Sequence, residues 1–316
     1  MRIVVTGALG HIGSRLVPWL ARAFRASEIL MVDDHSTGRL DVRDELLASP
    51  RCRFVHADVL EADLDALFDG ARAVIHLAAV TDAAGSFAMR ERVERTNLEG
   101  TARVARACAR AGVPLFFPST TSVYGMQAEL VDEDCATLRP QSPYAESKLA
   151  AEQALARLAL DEGLRFVACR FGTIFGTSPG MRFHTAVNRF CHQAANLEAL
   201  QAWRETFRQH RPYLDLGDAV RAVEFIVARD LFDGRTYNVL TVNATAEEVC
   251  ALIRARVARL DIEFVDAPLL NQHSYRVARE RFEGLGFRFE GDLARGIDDT
   301  LAWIGDRARQ RREVAA

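Results

Sequence analysis

The sequence predicts an α/β fold in which a doubly wound parallel sheet is followed by a smaller C-terminal domain. Short apolar runs rich in β-branched residues alternate with helical stretches through the first half of the 316 residues. A glycine-rich turn joins the first run to the first helix, and the alternation is lost after Gly176. We therefore assign residues 1–176 to the sheet domain, with segments near 210–240 returning to it, and residues 177–316 mainly to the second domain.

Composition narrows the class of protein. The chain is 49% apolar, which supplies a core, and its net charge of −3 gives no overall attraction to nucleic acid or anionic membranes. The sequence has no run of about 18 apolar residues, the length that would be needed to span a membrane. The apolar start at residues 1–7 is too short for a secretion signal, so we expect a cytoplasmic protein. The six cysteines and eight histidines lack ligand spacing, so we expect no metal.

The first strand, residues 3–5, leads into a turn with glycines at positions 7, 10 and 13 and then into a helix. Gly7 allows the tight turn, and Gly10 lets backbone approach a diphosphate. Gly13 permits close packing of helix on strand, while the helix N-terminus attracts phosphates. This pattern predicts a Rossmann-type dinucleotide site.

An acidic residue follows the second strand, residues 29–32. Asp33 lies 20 residues after Gly13, where a carboxylate accepts hydrogen bonds from both ribose hydroxyls of an adenosine and repels a 2′-phosphate. The position favours NAD over NADP. Arg39, in the next loop, leaves NADP open as an alternative.

Further strands are predicted at residues 53–56, 73–77 and 113–117, with a long helix at about 90–111 before the last of them. The small residues Ala78 and Ala79 follow the 73–77 strand and leave room for a ligand against backbone. The 113–117 strand leads to four hydroxyl residues, 119–122. Ligands bind at this edge of a parallel sheet.

A tyrosine and a lysine stand four residues apart where the next helix, residues 144–160, begins. Ser142 suits its N-cap and Pro143 its first turn. The four-residue spacing places Tyr144 and Lys148 on one helix face. The ammonium lowers the pKa of the phenol, so Tyr144 can take or return the proton of an alcohol.

Together these motifs resemble the extended short-chain dehydrogenases/reductases, and more narrowly the NAD-dependent nucleotide-sugar epimerases and dehydratases of the UDP-galactose 4-epimerase type. The resemblance implies an NAD-binding domain, a substrate domain, a nucleotide-sugar substrate and a homodimer. The motifs that carry it are Gly7-x-x-Gly10-x-x-Gly13, Asp33, Asp58-Val59, His76-Leu77-Ala78-Ala79, Ser119-Thr120-Thr121-Ser122-Val123-Tyr124-Gly125 and Tyr144-x-x-x-Lys148.

The resemblance also implies residue roles. Hydride passes from a sugar carbon, typically C4, to a tightly held NAD while Tyr144 takes the hydroxyl proton. Lys148 lowers the pKa of Tyr144 and holds the nicotinamide ribose, and Thr120 binds the reacting oxygen. Rotation of the keto sugar and return of hydride then invert the centre. The implied cofactor residues are Gly7, Gly10, His11, Ile12, Gly13, Asp33, Asp34, Asp58, Val59, Leu77, Ala78, Ala79, Asn97, Tyr144 and Lys148; the implied substrate residues are Thr120, Thr173, Asn188 and Arg211.

Several positions depart from the family pattern. Thr121 and Ser122 stand where the dehydratases have Asp and Glu, which disfavours 4,6-dehydration. Thr173 replaces an asparagine that orients the sugar. Asp215 replaces a histidine in the segment around Arg211, whose guanidinium would bind the nucleotide diphosphate. A second phosphate-binding arginine is missing, and His273 or Arg276 would have to replace it.

The remaining segments complete the second half. We expect an irregular loop at residues 177–183, helices at 219–228 and 245–260, and a strand at 236–239. Thr245 caps the later helix, with Glu248 three residues on. The basic run 307–312 reads as a solvated helix end.

Two other functions stay open. A ketoreductase would use the same catalytic residues but consume NADH or NADPH at each turnover, and a cofactor-sensing protein would keep the fold without turnover. For the dimer, we expect contacts through the helices at 90–111 and 143–160. Their apolar residues Val104, Ala107, Leu149 and Leu155 would serve, unless they face the sheet.

Overall fold

A sheet of seven parallel strands lies at the centre of the molecule. The structure, a computed structural model, describes residues 1–125, 127, 130–266 and 275–315. Within these ranges the strands are β1 (Arg2–Thr6), β2 (Glu28–Asp33), β3 (Cys52–His56), β4 (Ala71–His76), β5 (Leu115–Thr120), β6 (Leu130–Val131), β7 (Phe166–Phe171), β8 (Thr173–Phe175), β9 (Leu200–Trp203), β10 (His210–Asp215), β11 (Thr236–Val239), β12 (Val242–Thr245), β13 (Ile262–Val265) and β14 (Arg276–Val277).

The strand order of the main sheet is β11-β7-β5-β4-β1-β2-β3. The chain builds outwards from β1 to β3 and then crosses to the other side at β4, so β1 and β4 border the point where the order reverses. Ligands of doubly wound folds bind at the carboxyl ends of the strands at this point. The predicted fold class is confirmed.

Helices cover both faces of this sheet. Those on one face include α1 and α8, and those on the other include α3, α5 and α6. The helices are α1 (His11–Ala23), α2 (Leu40–Leu47), α3 (Leu64–Phe68), α4 (Arg90–Val93), α5 (Gly100–Ala111), α6 (Pro143–Glu162), α7 (Ala186–Ala195), α8 (Leu216–Arg229), α9 (Ala246–Arg254), α10 (Glu280–Gly284) and α11 (Leu293–Ala315). The helix predicted at 90–111 is α4 and α5, joined by a π-helical segment at Glu94–Glu99.

Local signals in the sequence fix several helix starts. The Ser142 side chain accepts a hydrogen bond from the amide of Ala145 at 3.2 Å, as expected of an N-cap. Thr245 and Glu248 form the predicted capping box. The ends of some elements were predicted less well. Helix α9 ends at Arg254 rather than at 260, and β5 continues past 117 to Thr120.

The second half returns to the main sheet and also forms a separate core. β11 pairs with β7, while β8, β10 and β12 form a three-stranded sheet. Helices α7, α9 and α11 enclose an apolar cluster with it. The basic run at 307–312 lies within α11.

Three of the residues offered for a dimer contact face the sheet instead. Val104, Ala107 and Leu155 are fully buried in the core between the sheet and helices α5 and α6. Leu149 is partly buried beside Val123 and Tyr124. These apolar side chains therefore stabilise the subunit itself.

The six cysteines are unpaired, and four of them are buried. Burial raises the pKa of Cys191 and Cys250 to about 12, so these thiols are poor nucleophiles. Within the described ranges there is no group of three or more residues able to hold a metal ion. The helices in those ranges include none that is both long and apolar enough to cross a membrane.

Candidate active site

A cavity of about 1100 Å³ opens at the carboxyl edge of the main sheet. Residues from both halves of the chain line it, which fits a site for two ligands. Most of the predicted site residues lie in its wall: Gly7, Gly10, His11, Ile12, Gly13, Asp33, Asp34, Asp58, Val59, Leu77, Ala78, Ala79, Thr120, Tyr144, Lys148, Thr173 and Arg211. Asn97 and Asn188 do not line it.

The turn after β1 requires glycine. Gly7 has a φ of +64°, and a Cβ there would lie 2.5 Å from the amide nitrogen of Ala78. Helix α1 then begins with Gly10 as an N-cap that provides no side-chain hydrogen bond. The first amide groups of α1 are therefore free for an anion at the cavity wall.

Asp33 is held rigidly at the end of β2. Its two oxygens accept from the amides of Leu9 and His35 at 3.1 and 3.0 Å. Burial raises the pKa of Asp33, while these two bonds act the other way. Each carboxylate oxygen keeps a second lone pair for a ligand hydroxyl. Arg39 donates to the carbonyl of Leu9 beside it.

Asn97 lies behind the cavity wall and is 1% exposed. Its side chain accepts from the amide of Val80 at 2.8 Å and donates to the carbonyl of Val80 at 3.0 Å and to Ser147 at 3.1 Å. It therefore fixes the loop after β4 against α6. These contacts give Asn97 a supporting role for the cavity wall, and its predicted contact with the cofactor stays a prediction.

Thr120 ends β5, and Tyr144 and Lys148 lie in the first two turns of α6. Burial raises the pKa of Tyr144 to about 12, while a hydrogen bond with Thr120 and the charge of Arg182 act against the rise. The sequence assigned that lowering to Lys148. In the structure its ammonium donates instead to the carbonyl of Pro118 at 2.9 Å.

Lys148 is itself strongly affected by its surroundings. It is 3% exposed, and its ammonium lies 4.6 Å from the centre of the Phe117 ring. Burial lowers the pKa of Lys148 to about 7, and the charge of Glu152 opposes the shift. An anion or a hydroxyl acceptor in the cavity would favour the charged form.

A buried polar network supports the end of β5. Arg170 donates to Glu152 through Nε and Nη2 at 3.0 and 2.7 Å, and Ser119 donates to the same carboxylate. The guanidinium of Arg170 lies over the ring of Tyr124, whose hydroxyl donates to Asn238 at 2.8 Å. This network fixes the backbone next to Thr120.

On the substrate side, Asn188 fastens the loop before α7 rather than lining the cavity. It is fully buried, accepts from the amide of Gly176 at 3.2 Å and donates to the carbonyl of Arg182 at 3.2 Å. Asp215, at the position of the family's histidine, caps α8 by accepting from the amides of Gly217 and Asp218.

The sequence did not predict four arginines of the cavity wall, Arg92, Arg95, Arg182 and Arg189. Arg189 donates to the carbonyl of Gln201 at 3.1 Å, and its guanidinium lies 5.2 Å from the centre of the Phe190 ring. Its buried Nε has no hydrogen-bond partner among the described residues. The sequence offered one signal for Arg189, namely a charged residue beside the apolar face of helix α7.

The sequence offered His273 and Arg276 as candidates for a second phosphate-binding group. Arg276 is exposed on β14 and is absent from the cavity wall. His273 lies outside the described residues. Arg211 lines the cavity with its guanidinium 5.3 Å from the centre of the Tyr275 ring.

Comparison with known proteins shows the family of the chain. The profile of the "NAD dependent epimerase/dehydratase family" matches residues 3–239. The chain belongs to this family. The resemblance inferred from the sequence motifs is thereby confirmed, and with it the expectation of an NAD-dependent enzyme of the extended short-chain dehydrogenase/reductase type.

Individual relatives of this family member include both epimerases and dehydratases. An uncharacterized UDP-glucose epimerase, YtcB of Bacillus subtilis, is 29% identical over 248 residues, which cover 76% of each chain. The dTDP-glucose 4,6-dehydratase of Streptomyces griseus is 28% identical over 309 residues, covering 95% of this chain and 93% of the relative. The structure of MoeE5 in complex with UDP-glucuronic acid and NAD has a TM-score of 0.83 at 26% identity and covers 96% of this chain and 99% of MoeE5.

The site of this NAD-dependent family member fits its cofactor. The free α1 amides suit the diphosphate, Asp33 suits a ribose, and Ala78 and Ala79 leave space against backbone. When bound, NAD would supply the hydride acceptor. Tyr144 and Lys148 lie in the wall of the same cavity.

Lys148→Met is expected to stabilise the NAD-free protein most at low pH. Burial holds the pKa of Lys148 at about 7, against roughly 10.5 in the unfolded chain. Between these values only the unfolded chain binds the proton, so wild-type stability rises with pH; below pH 7 the full cost of the buried charge is present. At ~1.4 kcal/mol per pKa unit, the variant should gain roughly 2–5 kcal/mol at pH 6 and under about 1 kcal/mol at pH 10.

Urea unfolding of both NAD-free proteins at pH 6, 8 and 10 measures this difference. The loss of the hydrogen bond to Pro118 lowers the gain by a similar amount at every pH. A stability difference that stays constant across the three pH values would contradict the account of Lys148.

Proposed function

We propose that this enzyme is a nucleoside-diphosphate-sugar epimerase that acts at C4 through a transient 4-keto sugar and keeps its NAD throughout. The observation that carries the proposal is the convergence of Thr120, Tyr144 and Lys148 on one cavity with the α1 N-terminus. The relatives named as epimerases support the reaction class.

The chemistry assigned to the protein is proton transfer. Burial keeps the Tyr144 phenol protonated in the NAD-free protein, so the base is the phenolate, which a positive charge in the cofactor site would favour. This phenolate takes the proton of the C4 hydroxyl as the hydride leaves C4, and the phenol returns that proton to the carbonyl oxygen when hydride arrives at the opposite face. Thr120 donates a hydrogen bond to the same oxygen, where negative charge develops. The proton and the hydride are both restored, so no net oxidation occurs.

The residues after Thr120 favour epimerisation over dehydration. Elimination of water needs an acid and a base near C5 and C6, and neither Thr121 nor Ser122 can be a carboxylate acid or base. Thr121 is buried and donates to the carbonyl of Phe171. Among the described residues, the carboxylates of the cavity wall lie at the end of β2 or in the loops after β2, β3 and β4: Asp33, Asp34, Asp58, Glu61 and Asp82.

Two arginines are proposed to bind the diphosphate of the sugar nucleotide, Arg211 and Arg189. Arg189→Met and Arg211→Met should each raise KM roughly 10–100-fold, because a hydrogen bond to a charged group contributes about 1.5–3 kcal/mol. Bound NAD should be unchanged. Arg204→Met, at an exposed arginine outside the cavity wall, is the matched control; equal effects from all three variants would contradict the assignment.

The proposal is tested by cofactor content followed by turnover. The protein is purified without added nucleotide and denatured, and released NAD is identified by mass. The protein is then incubated with UDP-glucose, UDP-glucuronic acid and dTDP-glucose, and C4 epimers are sought by NMR. Near-stoichiometric NAD and a C4 epimer support the proposal. An empty site that consumes NADPH with a 4-keto sugar would favour the ketoreductase.

A further inference from the structure

A short segment from the second half of the chain lies across the glycine-rich turn of the first. We name residues 178–182 the strap. The hydroxyl of Ser178 lies 2.7 Å from Nδ1 of His11, and the amide of Gly180 donates to the hydroxyl of Ser14 at 2.9 Å. The strap is thus attached to the first turns of α1.

The strap contacts the turn backbone so closely that a side chain could not fit between them. A Cβ on Gly180 would lie 2.4 Å from the carbonyl oxygen of Leu9 and 2.8 Å from that of Gly10. Ser178 and Met181 are buried on either side. The substrate half therefore covers the outer side of the dinucleotide turn.

The side chain of Arg182, at the end of the strap, extends across the cavity. Its guanidinium donates to the hydroxyl of Thr81 in the loop after β4. On the other side, its Nη2 lies 3.8 Å from the position of a Cβ on Gly10. Arg182 therefore spans from the N-terminus of α1 to the loop after β4, the two elements that border the dinucleotide site.

Arg182 forms no direct ion pair in the part of the chain that the structure describes, where no carboxylate lies within ion-pair distance of it. Burial and the nearby charge of Arg39 lower its pKa, and the more distant carboxylates of Asp33 and Asp82 act the other way without reversing the shift. Two neighbouring cations in a partly desolvated wall are unfavourable unless an anion binds between or beside them.

His11 provides a second, independent sign of a ligand. Its side chain is 8% exposed and lines the cavity. Nδ1 is engaged by Ser178, whereas the buried Nε2 has no partner among the described residues. A buried polar atom of this kind needs a hydrogen-bonding group supplied from the cavity.

We propose that Arg182 binds the diphosphate of NAD on the side opposite the α1 N-terminus, and that the strap must open before NAD can leave. The α1 amides, His11 Nε2 and the Arg182 guanidinium then surround the same anion. The inference rests on the retained cofactor of the proposed function and gives a physical reason for that retention.

The test compares the rates at which NAD leaves the holoenzyme. Arg182→Met should raise the NAD dissociation rate at least tenfold and lower the NAD content after purification, with Arg182→Lys between it and wild type. Gly180→Ala should also raise the rate, because its Cβ lifts the strap while the charge stays. Arg204→Met is the control, and urea unfolding of the NAD-free variants separates loss of binding from loss of folding.

An Arg182→Met protein that folds and releases NAD at the wild-type rate would overturn the proposal. So would a variant that keeps NAD and loses turnover of UDP-glucuronic acid alone, because Arg182 would then bind a sugar carboxylate. These rates need no sugar substrate. Failure to epimerise any sugar would therefore refute the proposed function, while the NAD dissociation rates would still test the role of the strap.

Discussion

Tyr144→Phe is expected to lower the kcat of sugar epimerisation by about 10²–10⁴-fold, the usual contribution of a positioned acid or base. The ring keeps its place in the cavity wall, while the group that exchanges a proton with the C4 oxygen is lost. Bound NAD should stay close to the wild-type amount, because the diphosphate and adenosine contacts lie elsewhere in the cavity. The measurement pairs initial rates with NAD released on denaturation.

The matched control is Tyr237→Phe. Tyr237 is a buried tyrosine on β11 whose hydroxyl donates to Asp233 at 2.6 Å, away from the cavity. It should change kcat less than about twofold, since it touches no reacting group. A Tyr144→Phe enzyme with near wild-type turnover would contradict the assignment of Tyr144 as the proton acceptor.

Arg170→Met is expected to lower the free energy of unfolding by roughly 3–5 kcal/mol, because it leaves the buried Glu152 carboxylate without its bidentate partner. The side chains of this pair are 7% and 8% exposed. Because Ser119 also donates to Glu152, the end of β5 should loosen, and epimerisation should slow together with the fall in stability. Urea unfolding at neutral pH measures the effect.

Two further variants make this prediction specific. Arg110→Met breaks a bidentate pair with Asp65 whose side chains are 55% and 57% exposed, so it should cost less than about 1 kcal/mol. Adding Glu152→Leu to Arg170→Met removes the unpaired charge and should regain most of the lost stability. Equal losses from Arg170→Met and Arg110→Met would refute the view that burial makes the first pair important.

The parts of the fold that the sequence predicted were those with strong local signals. Ser142, Pro143 and Thr245 marked helix starts because their capping chemistry is local. The end of β5 was not predicted, since Thr120 continues the strand only by pairing with β7. The short helices α2 and α3 and the small strands of the second half also depend on tertiary contacts more than on local pattern.

The residues of the site also divide into those with a local signal in the sequence and those whose role depends on tertiary contacts. Glycines and acids at fixed distances from a strand end have positions set by the backbone, so Gly7 and Asp33 lie in the cavity wall, where the spacing placed them. The backbone contacts of Asn97 and Asn188 carry no such signal, because an amide serves equally well for a ligand or for neighbouring backbone. Only the fold reveals that both fasten loops.

Arg182 and Arg189 could not be predicted because no spacing rule connects them to the cofactor turn. Arg182 lies 169 residues after Gly13 in the chain, in a loop without periodicity. The contacts of Ser178 and Gly180 with α1 bring it to the cavity. A position that depends on long-range packing leaves no local signature in the sequence.

The most direct test of the account is the fate of a hydrogen label at C4. The enzyme, with its co-purified NAD and no added cofactor, is given a UDP-hexose deuterated at C4, and the products are examined by NMR and mass. The account predicts a C4 epimer that keeps the deuterium at C4, because hydride is removed and returned by one retained NAD. Deuterium lost to solvent or released as free reduced cofactor, or the absence of any C4 epimer, would contradict it.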